Sequence, residues 1–337
     1  MNTPTSSLEN YHFPVMLEEI TKICSPIKGG LYIDCTFGGG GYSGRLLKFS
    51  KTKVIGLDRD QFILKIAKNL EKKYPNRFFF YKKKFSEIES VLNKQLVDAV
   101  VFDLGLSSIQ LKNLERGFSF KSKDKLDMSM GLSDISAEEV VNNFSEQKLK
   151  VIIKVLGEEK DASKIAKNII KARSIKKIKK VDQLVEVIKK SKKPDYKKKI
   201  NPSTKTFQAL RIFVNKEITE LIKGIISATK VLKPGGKILV VSFHSIEDKI
   251  VKYFFNNYSS NSAKPSRYIP DNNNESISLF NEYKNKIFRP SNEEINKNLP
   301  SRSAKLRYAI RNKNKFVYPV DFVNKFKKFL DLESFYA

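Results

Sequence analysis

Short apolar runs alternate with stretches of helical periodicity along the first hundred residues. LYIDCT (31–36), KVIGLD (53–58), RFFFYK (77–82) and DAVVFDL (98–104) are nearly unbroken aliphatic or aromatic segments. Such runs are expected of parallel strands covered on both faces. Within Gln61 to Tyr74, Phe62, Ile66 and Leu70 recur at helical spacing, which predicts a helix packed on the sheet. Strand and helix in strict alternation predict an α/β fold with a doubly wound sheet.

The alternation stops after the fourth run. From about Ser136 to Lys190 the chain is polar, lysine-rich and helical in pattern, and NPSTKTFQALRIFVNKEI (201–218) begins a further amphipathic helix. A fifth strand, KILVVSF (237–243), follows the turn KPGG, and SAKLRYAIR and VDFVNKFKKFL predict a last strand and helix. The expected organisation is residues 1–110 as the first part of the α/β core and 111–215 as a mainly helical substrate-recognition insertion. Residues 216–337 are then the second part of the core, with an exposed, mobile Ser- and Asn-rich loop at about 257–286.

Chemistry concentrates where strands end. Behind the first run stand four glycines, Gly38 to Gly41, and Gly39, Gly41 and Gly44 satisfy G-x-G-x-x-G, with Asp58 closing the second run. That pattern alone also suits a nicotinamide dinucleotide. Asp34, at the end of the first run, separates the two readings. An acid there opposes a pyrophosphate and suits a cationic, hydrogen-bond-donating ligand. S-adenosylmethionine carries an ammonium, a sulfonium, a carboxylate and a ribose diol, and no phosphate. Glycines let the backbone approach it, Asp58 can accept from both ribose hydroxyls, and Asp103 ends the fourth run at the crevice where open α/β sheets bind ligands.

Composition points to the partner. With 64 Lys+Arg against 36 Asp+Glu the formal charge is +28, which favours a polyanion such as nucleic acid. Lysine predominates in this excess, and the runs at 176–180, 189–193 and 197–199 are expected to be solvated, adding affinity without specificity. The two cysteines, Cys24 and Cys35, have no metal-ligand spacing and read as reduced, packed thiols. No apolar run approaches the roughly 20 residues of a membrane span. MNTPTSSLENYHF lacks the basic start and apolar core of a signal peptide, so a cytoplasmic location is expected, with no membrane partner.

The chain resembles the bacterial small-subunit ribosomal RNA methyltransferase H family in blocks spread over nearly its whole length. These are HFPVML (12–17), YIDCTFGGGGYS (32–43), DRD (58–60), DLGLSSIQL (103–111), ERGFSF with LDMSM (115–130) and GEEKDASKIAKNI (157–169). NPSTKTFQALRIFVNKE (201–217), LKPGGKILVVSFHSIEDKIVK (232–252) and SRSAKLR (301–307) complete the set. The resemblance implies a class I S-adenosylmethionine-dependent methyltransferase with a Rossmann-like core and a helical insertion. It implies methylation of the exocyclic N4 of a cytidine in the decoding centre of 16S ribosomal RNA, with the small ribosomal subunit as partner and no metal. Carried over position by position, the donor-binding residues are Gly40, Gly41, Tyr42, Asp58, Phe85, Asp103 and Gln110. Gly39 and Tyr42 depart from the family loop, which usually has Arg and His there, so only contacts made by backbone N–H groups carry over at those two positions.

A cytosine amine is a poor nucleophile because its lone pair is delocalised into the ring. An acceptor for an N4 hydrogen favours its pyramidalisation, and Asp103, with the backbone of Leu104 and Gly105, is the candidate; the resemblance gives the same residue a donor contact. His244 in SFHSIED either takes the amine proton or caps the next helix, and Phe243 either stacks on the base or packs in the core. His12 is assigned to fixing the N-terminal segment. For RNA the expected surface is Arg116 with its neighbouring Phe118 and Phe120, Lys205, Arg211, Asn215, Phe243, Arg302 and Arg307, with a buried ion pair the alternative use of Arg116 or Arg211. A noncatalytic RNA-binding assembly factor that keeps a donor fold is the alternative function, and oligomeric state, monomer or homodimer, is open.

Overall fold

The structure is a computed structural model that describes residues 14–107, 110–111, 113–192, 201–261 and 278–334. His12, the lysines at 197–199 and the centre of the 257–286 loop lie outside these residues. Two compact units are present: Met1–Gly105 with Glu220–Lys328, and Leu106–Thr219 with Phe329–Ala337. The division falls a few residues from the boundaries expected at 110 and 215, and the stretch from Phe329 counts with the second unit.

In chain order the first unit contributes α1 (Leu17–Cys24), β1 (Leu31–Asp34), α2 (Gly41–Leu46), β2 (Lys53–Asp58), α3 (Leu64–Lys73), β3 (Phe78–Lys82) and β4 (Val97–Asp103). The second unit contributes α4 (Ala137–Asn143), α5 (Glu146–Gly157), α6 (Ala162–Ile175), α7 (Val181–Ser191) and α8 (Thr204–Asn215). Then come α9 (Glu217–Val231), β5 (Leu232–Ser242), α10 (Ser245–Asn257), α11 (Asn292–Lys297), β6 (Lys305–Ile310) and α12 (Val320–Glu333).

The six strands form one sheet in the order β3-β2-β1-β4-β5-β6. All neighbours are parallel except β5 and β6. Five parallel strands bring Asp34, Asp58, Asp103 and Ser242 to one edge, and the order reverses between β1 and β4, where open sheets of this kind bind ligands. The central strands are buried as their apolar runs require: Val100, Val101 and Phe102 are fully enclosed. RFFFYK departs from that expectation, because β3 is an edge strand and Phe79 and Tyr81 are exposed.

The helix after β2 also differs from its pattern. Asp60 caps a short 3-10 turn by accepting from Phe62 N, which leaves the Phe62 ring exposed, and the buried pair is Ile63 and Ala67, one turn apart. The KPGG turn lies inside β5, where the register with β4 jumps from Leu232 to Lys237. The flanks of the supposed mobile loop are part of the core. Tyr258, Leu279, Phe280 and Tyr283 are buried, and Phe254 packs on Tyr258, Phe280 and Phe322. Cys24 and Cys35 are free and buried, and burial pushes the Cys24 thiol up to about 12. Among the described residues no helix is long and apolar enough to cross a membrane.

Candidate active site

The glycine loop is shaped first by its own neighbours. Gly40 sits at φ 74°, a left-handed conformation in which a Cβ would lie 2.9 Å from the Phe37 ring, and a Cβ on Gly41 would lie 2.7 Å from the Pro14 ring. Asp34 was expected to face a ligand. Instead it is fully buried, accepting from Ser43 Oγ (2.7 Å) and Ser43 N (3.2 Å) at the start of α2 and from Thr36 N (3.3 Å). It thus fixes the loop, and burial pushes its carboxyl up to about 6.

Asp58 performs a similar service one strand away. Oδ2 accepts from Gly38 N and Oδ1 from Asp60 N, both at 2.9 Å, so the carboxylate is clamped by amides while each oxygen keeps a lone pair for a ligand. Burial raises its pKa. Phe85, after β3, is half-buried, with its ring edge-on to Phe102 of β4 at 5.4 Å.

Asp103 is the most unusual group at this edge. Its backbone N donates to Thr36 Oγ1 (2.8 Å), its Oδ2 lies 3.2 Å from the Tyr42 hydroxyl, and its Oδ1 is buried with no hydrogen-bond partner. Burial, then the nearby carboxylates of Asp34, Glu247 and Glu294, push it up to about 7 against the lowering effect of Tyr42. A chain of charge +28 therefore keeps a patch of acids at the carboxyl edge of its sheet. Such a patch attracts cations, and an orphaned buried acceptor calls for a hydrogen-bond donor.

Phe243 follows β5 and lies against the backbone of Gly105, where a Cβ would come within 3.0 Å of the ring. His244 takes the capping role: Nδ1 accepts from Glu247 N at 3.5 Å at the start of α10, while Nε2 lies 3.0 Å from Glu247 Oε1 but is not aligned to hydrogen-bond it. Glu247 Oε2 accepts from Phe243 N (2.8 Å) and His244 N (3.3 Å), which locks the turn. Glu247 was missed in the sequence although it carried a signal, an acid three residues after a helix cap. Glu294 was missed too, and its link, accepting from Met16 N across 278 residues, leaves no local trace.

The expected RNA residues divide sharply. Arg307 is only 2% exposed and is consumed by Asp248, Tyr283 and Asn285. Asn215, equally buried, accepts from Met130 N and Ser133 Oγ and donates to the carbonyls of Met128 and Arg211. Arg211 forms a bidentate ion pair with Glu217, both contacts at 2.9 Å. Arg116 is buried against Phe118 and donates to Ser129 O. These four hold the fold: Arg116, Arg307 and Asn215 are buried and must be paired, and the half-buried Arg211 is held by Glu217. Lys205, which donates to Glu158 O, and Arg302 are the exposed members. Gln110 is buried in the second unit, where Oε1 accepts from Ser107 N.

The profile of the MraW methylase family matches residues 9–312. The chain belongs to that family. Proteins named ribosomal RNA small subunit methyltransferase H share this likeness: 41% identity over 312 residues for that of Ehrlichia ruminantium (strain Welgevonden), covering 89% of this chain and 99% of the relative. The Rickettsia typhi protein is 41% identical over 310 residues (90% and 99%), and that of a Wolbachia from Drosophila simulans 42% over 300 (88% and 97%). As a methylase of this family the chain uses S-adenosyl-L-methionine, and the residues at the sheet edge suit it. The acids around Asp103 make this edge attractive to a cation, and each Asp58 oxygen keeps a lone pair free, features compatible with such a ligand.

Proposed function

We propose that this methylase modifies the exocyclic N4 of a cytidine in the decoding centre of 16S ribosomal RNA, acting in the cytoplasm on an assembled or nearly assembled small subunit. Membership of the family supports ribosomal RNA as the substrate. The observation that carries an amine as acceptor is Asp103 Oδ1, buried and without a partner at the carboxyl edge of β4.

Gly40, Gly41, Asp58, Phe85 and Asp103 hold S-adenosylmethionine in this reading, which supplies an electrophilic methyl group when bound. Asp103 accepts a hydrogen from the target amine, drawing its lone pair out of conjugation with the ring. Burial serves this role, since a carboxylate shielded from water interacts more strongly with a single donor. After transfer the amine is strongly acidic, and Asp103 or water takes its proton. Phe243, half-buried beside Gly105, offers a face to the flipped base, while Lys205 and Arg302 engage backbone phosphates.

The test is methyl transfer from labelled S-adenosylmethionine to small subunits lacking the modification, beside naked ribosomal RNA, with nucleoside analysis of the product. N4-methylcytidine on subunits, made by the wild type and not by Asp103→Asn, is the expected result. Donor binding without methylation of either substrate favours the noncatalytic assembly factor, and label on another base or atom refutes the cytidine N4 assignment.

A further inference from the structure

One hydroxyl in the active site serves two acceptors. Tyr42 Oη lies 2.6 Å from Val15 O and 3.2 Å from Asp103 Oδ2, and a phenol has a single proton to give. Tyr42 is 2% exposed, and burial with the nearby Asp103 carboxylate holds its own proton firmly in place. The acceptor on the far side is tethered. Pro14 packs where a Gly41 Cβ would stand, and Met16 N donates to Glu294 Oε1 at 2.9 Å.

Two hydrogen-bond states satisfy this geometry. With Asp103 protonated, Oδ2–H donates to Tyr42 Oη and Tyr42 donates to Val15 O, so Oδ2, the phenol and Val15 O are all paired and Oδ1 alone is not. With Asp103 ionised, its proton has gone to solvent, the Tyr42 hydroxyl rotates to donate to Oδ2, and Val15 O loses its donor. Among the described residues, the main titratable groups acting on Asp103 are Tyr42 on α2, Asp34 on β1, Glu247 on α10 and Glu294 on α11, and none of these is a cation. All three acids favour the protonated state.

We infer that Tyr42 is a positioning residue for methyl transfer: its one proton, shared between Val15 O and Asp103 Oδ2, orients the ionised Asp103 so that Oδ1 is left as the acceptor, and links that state to the segment at Val15. The kinetic consequence rests on the proposed methyl transfer; the shared proton does not. A cationic ligand beside Asp103 favours its ionised form, so donor binding draws the Tyr42 proton away from Val15 O. Donor loading and the hold on the N-terminal segment are thereby coupled.

The test titrates the full-length free protein by NMR, following Asp103 by its carboxyl carbon, assigned with Asp103→Asn, and Tyr42 by its Cζ carbon. In the wild type the Tyr42 signal moves with the Asp103 midpoint, and in Asp103→Asn it does not. A Tyr42 signal that stays flat through that midpoint overturns the inference without any substitution at Tyr42. In Tyr42→Phe the Asp103 midpoint rises by about one pH unit, because a hydrogen bond to a carboxylate is roughly twice as strong as one to a neutral acid. The acid limb of the single-turnover rate on subunits moves up equally. An unmoved midpoint overturns the inference, and so does a limb that fails to follow a moved midpoint. If the NMR results hold and neither protein methylates any substrate, the proposed reaction fails and the shared proton stands.

Discussion

Gly224 and Phe85 are built around each other: a Cβ on Gly224, inside α9, would lie 2.5 Å from Cδ2 of the Phe85 ring. Glycine in a helix interior costs about 1 kcal/mol relative to alanine, so its presence here buys space for the ring. Phe85 is half-buried, and its ring can swing away from an intruding methyl. Gly224→Ala is therefore expected to change stability by no more than about 1 kcal/mol, helix gain offsetting contact loss. It weakens donor binding by displacing the ring. Thermal unfolding beside calorimetric titration with S-adenosylmethionine reads both; unchanged donor affinity would remove Phe85 from the donor site.

Arg307 and Arg302, five residues apart, should respond in opposite ways. Removing Arg307 leaves Asp248 with Lys305 alone and strips Tyr283 and Asn285 of a partner, a loss of about 3–5 kcal/mol if the pair behaves as buried ion pairs do. Exposed Arg302→Ala should alter stability by less than about 0.5 kcal/mol. If it contacts a phosphate, the same change lowers the slope of log affinity for RNA against log salt by about one. Denaturant unfolding and salt-dependent binding separate the two, and an unchanged slope would take Arg302 off the RNA surface.

The pair Asn215 and Lys205 divides likewise within α8. Asn215→Ala removes the shorter of two acceptors from the Met130 N–H, which keeps Ser133 Oγ at 3.4 Å, and takes the side-chain donor from the Met128 carbonyl, at a cost of about 1–3 kcal/mol. Lys205→Ala gives up one exposed bond to Glu158 O and should weaken RNA binding with little change in melting temperature. Equal destabilisation by both variants would contradict this division.

Asp34 and Asp103 set a pH window for stability. Their carboxyls are pushed up to about 6 and about 7 by burial, above ordinary values near 3.8, so the folded state favours their protonated forms. Their contribution to stability is full below pH of about 4 and is lost as pH rises through 6 and 7. Chemical unfolding between pH 4 and pH 8 should show this decline in the wild type and a shallower one in Asp34→Asn with Asp103→Asn. Over the same window donor affinity should rise, because the cationic ligand favours the ionised acids. Affinity that falls with pH would defeat the electrostatic account of the site.

Much of the site was legible because its signals are local. An acid at the end of an apolar run placed Asp58 and Asp103 at the carboxyl edge of the sheet, since a parallel strand must finish where its run of buried residues ends. The same logic misassigned Asp34: its position at a strand end is visible in the sequence, but Ser43, the group that captures its carboxylate, becomes its neighbour only when the glycine loop closes. Gly41 has a use the sequence did not reveal: a Cβ there would meet Pro14, so the missing side chain makes room for the N-terminal segment as well as for a ligand along the backbone.

The sequence by itself determined the α/β class, the six strands, the family and the edge at which the acids gather, because burial pattern and strand ends are written in runs of a few residues. Only the tertiary structure decided which cations face solvent. Arginine in an amphipathic segment looks the same whether free or paired, and the partner that settles the matter can be distant: Asp248 lies 59 residues from Arg307. Tertiary structure also decided that Tyr42 reaches both Val15 and Asp103, residues 27 and 61 positions away. A hydrogen bond acts over about 3 Å in space, and no pattern of neighbouring residues along a chain encodes which distant oxygen will stand there.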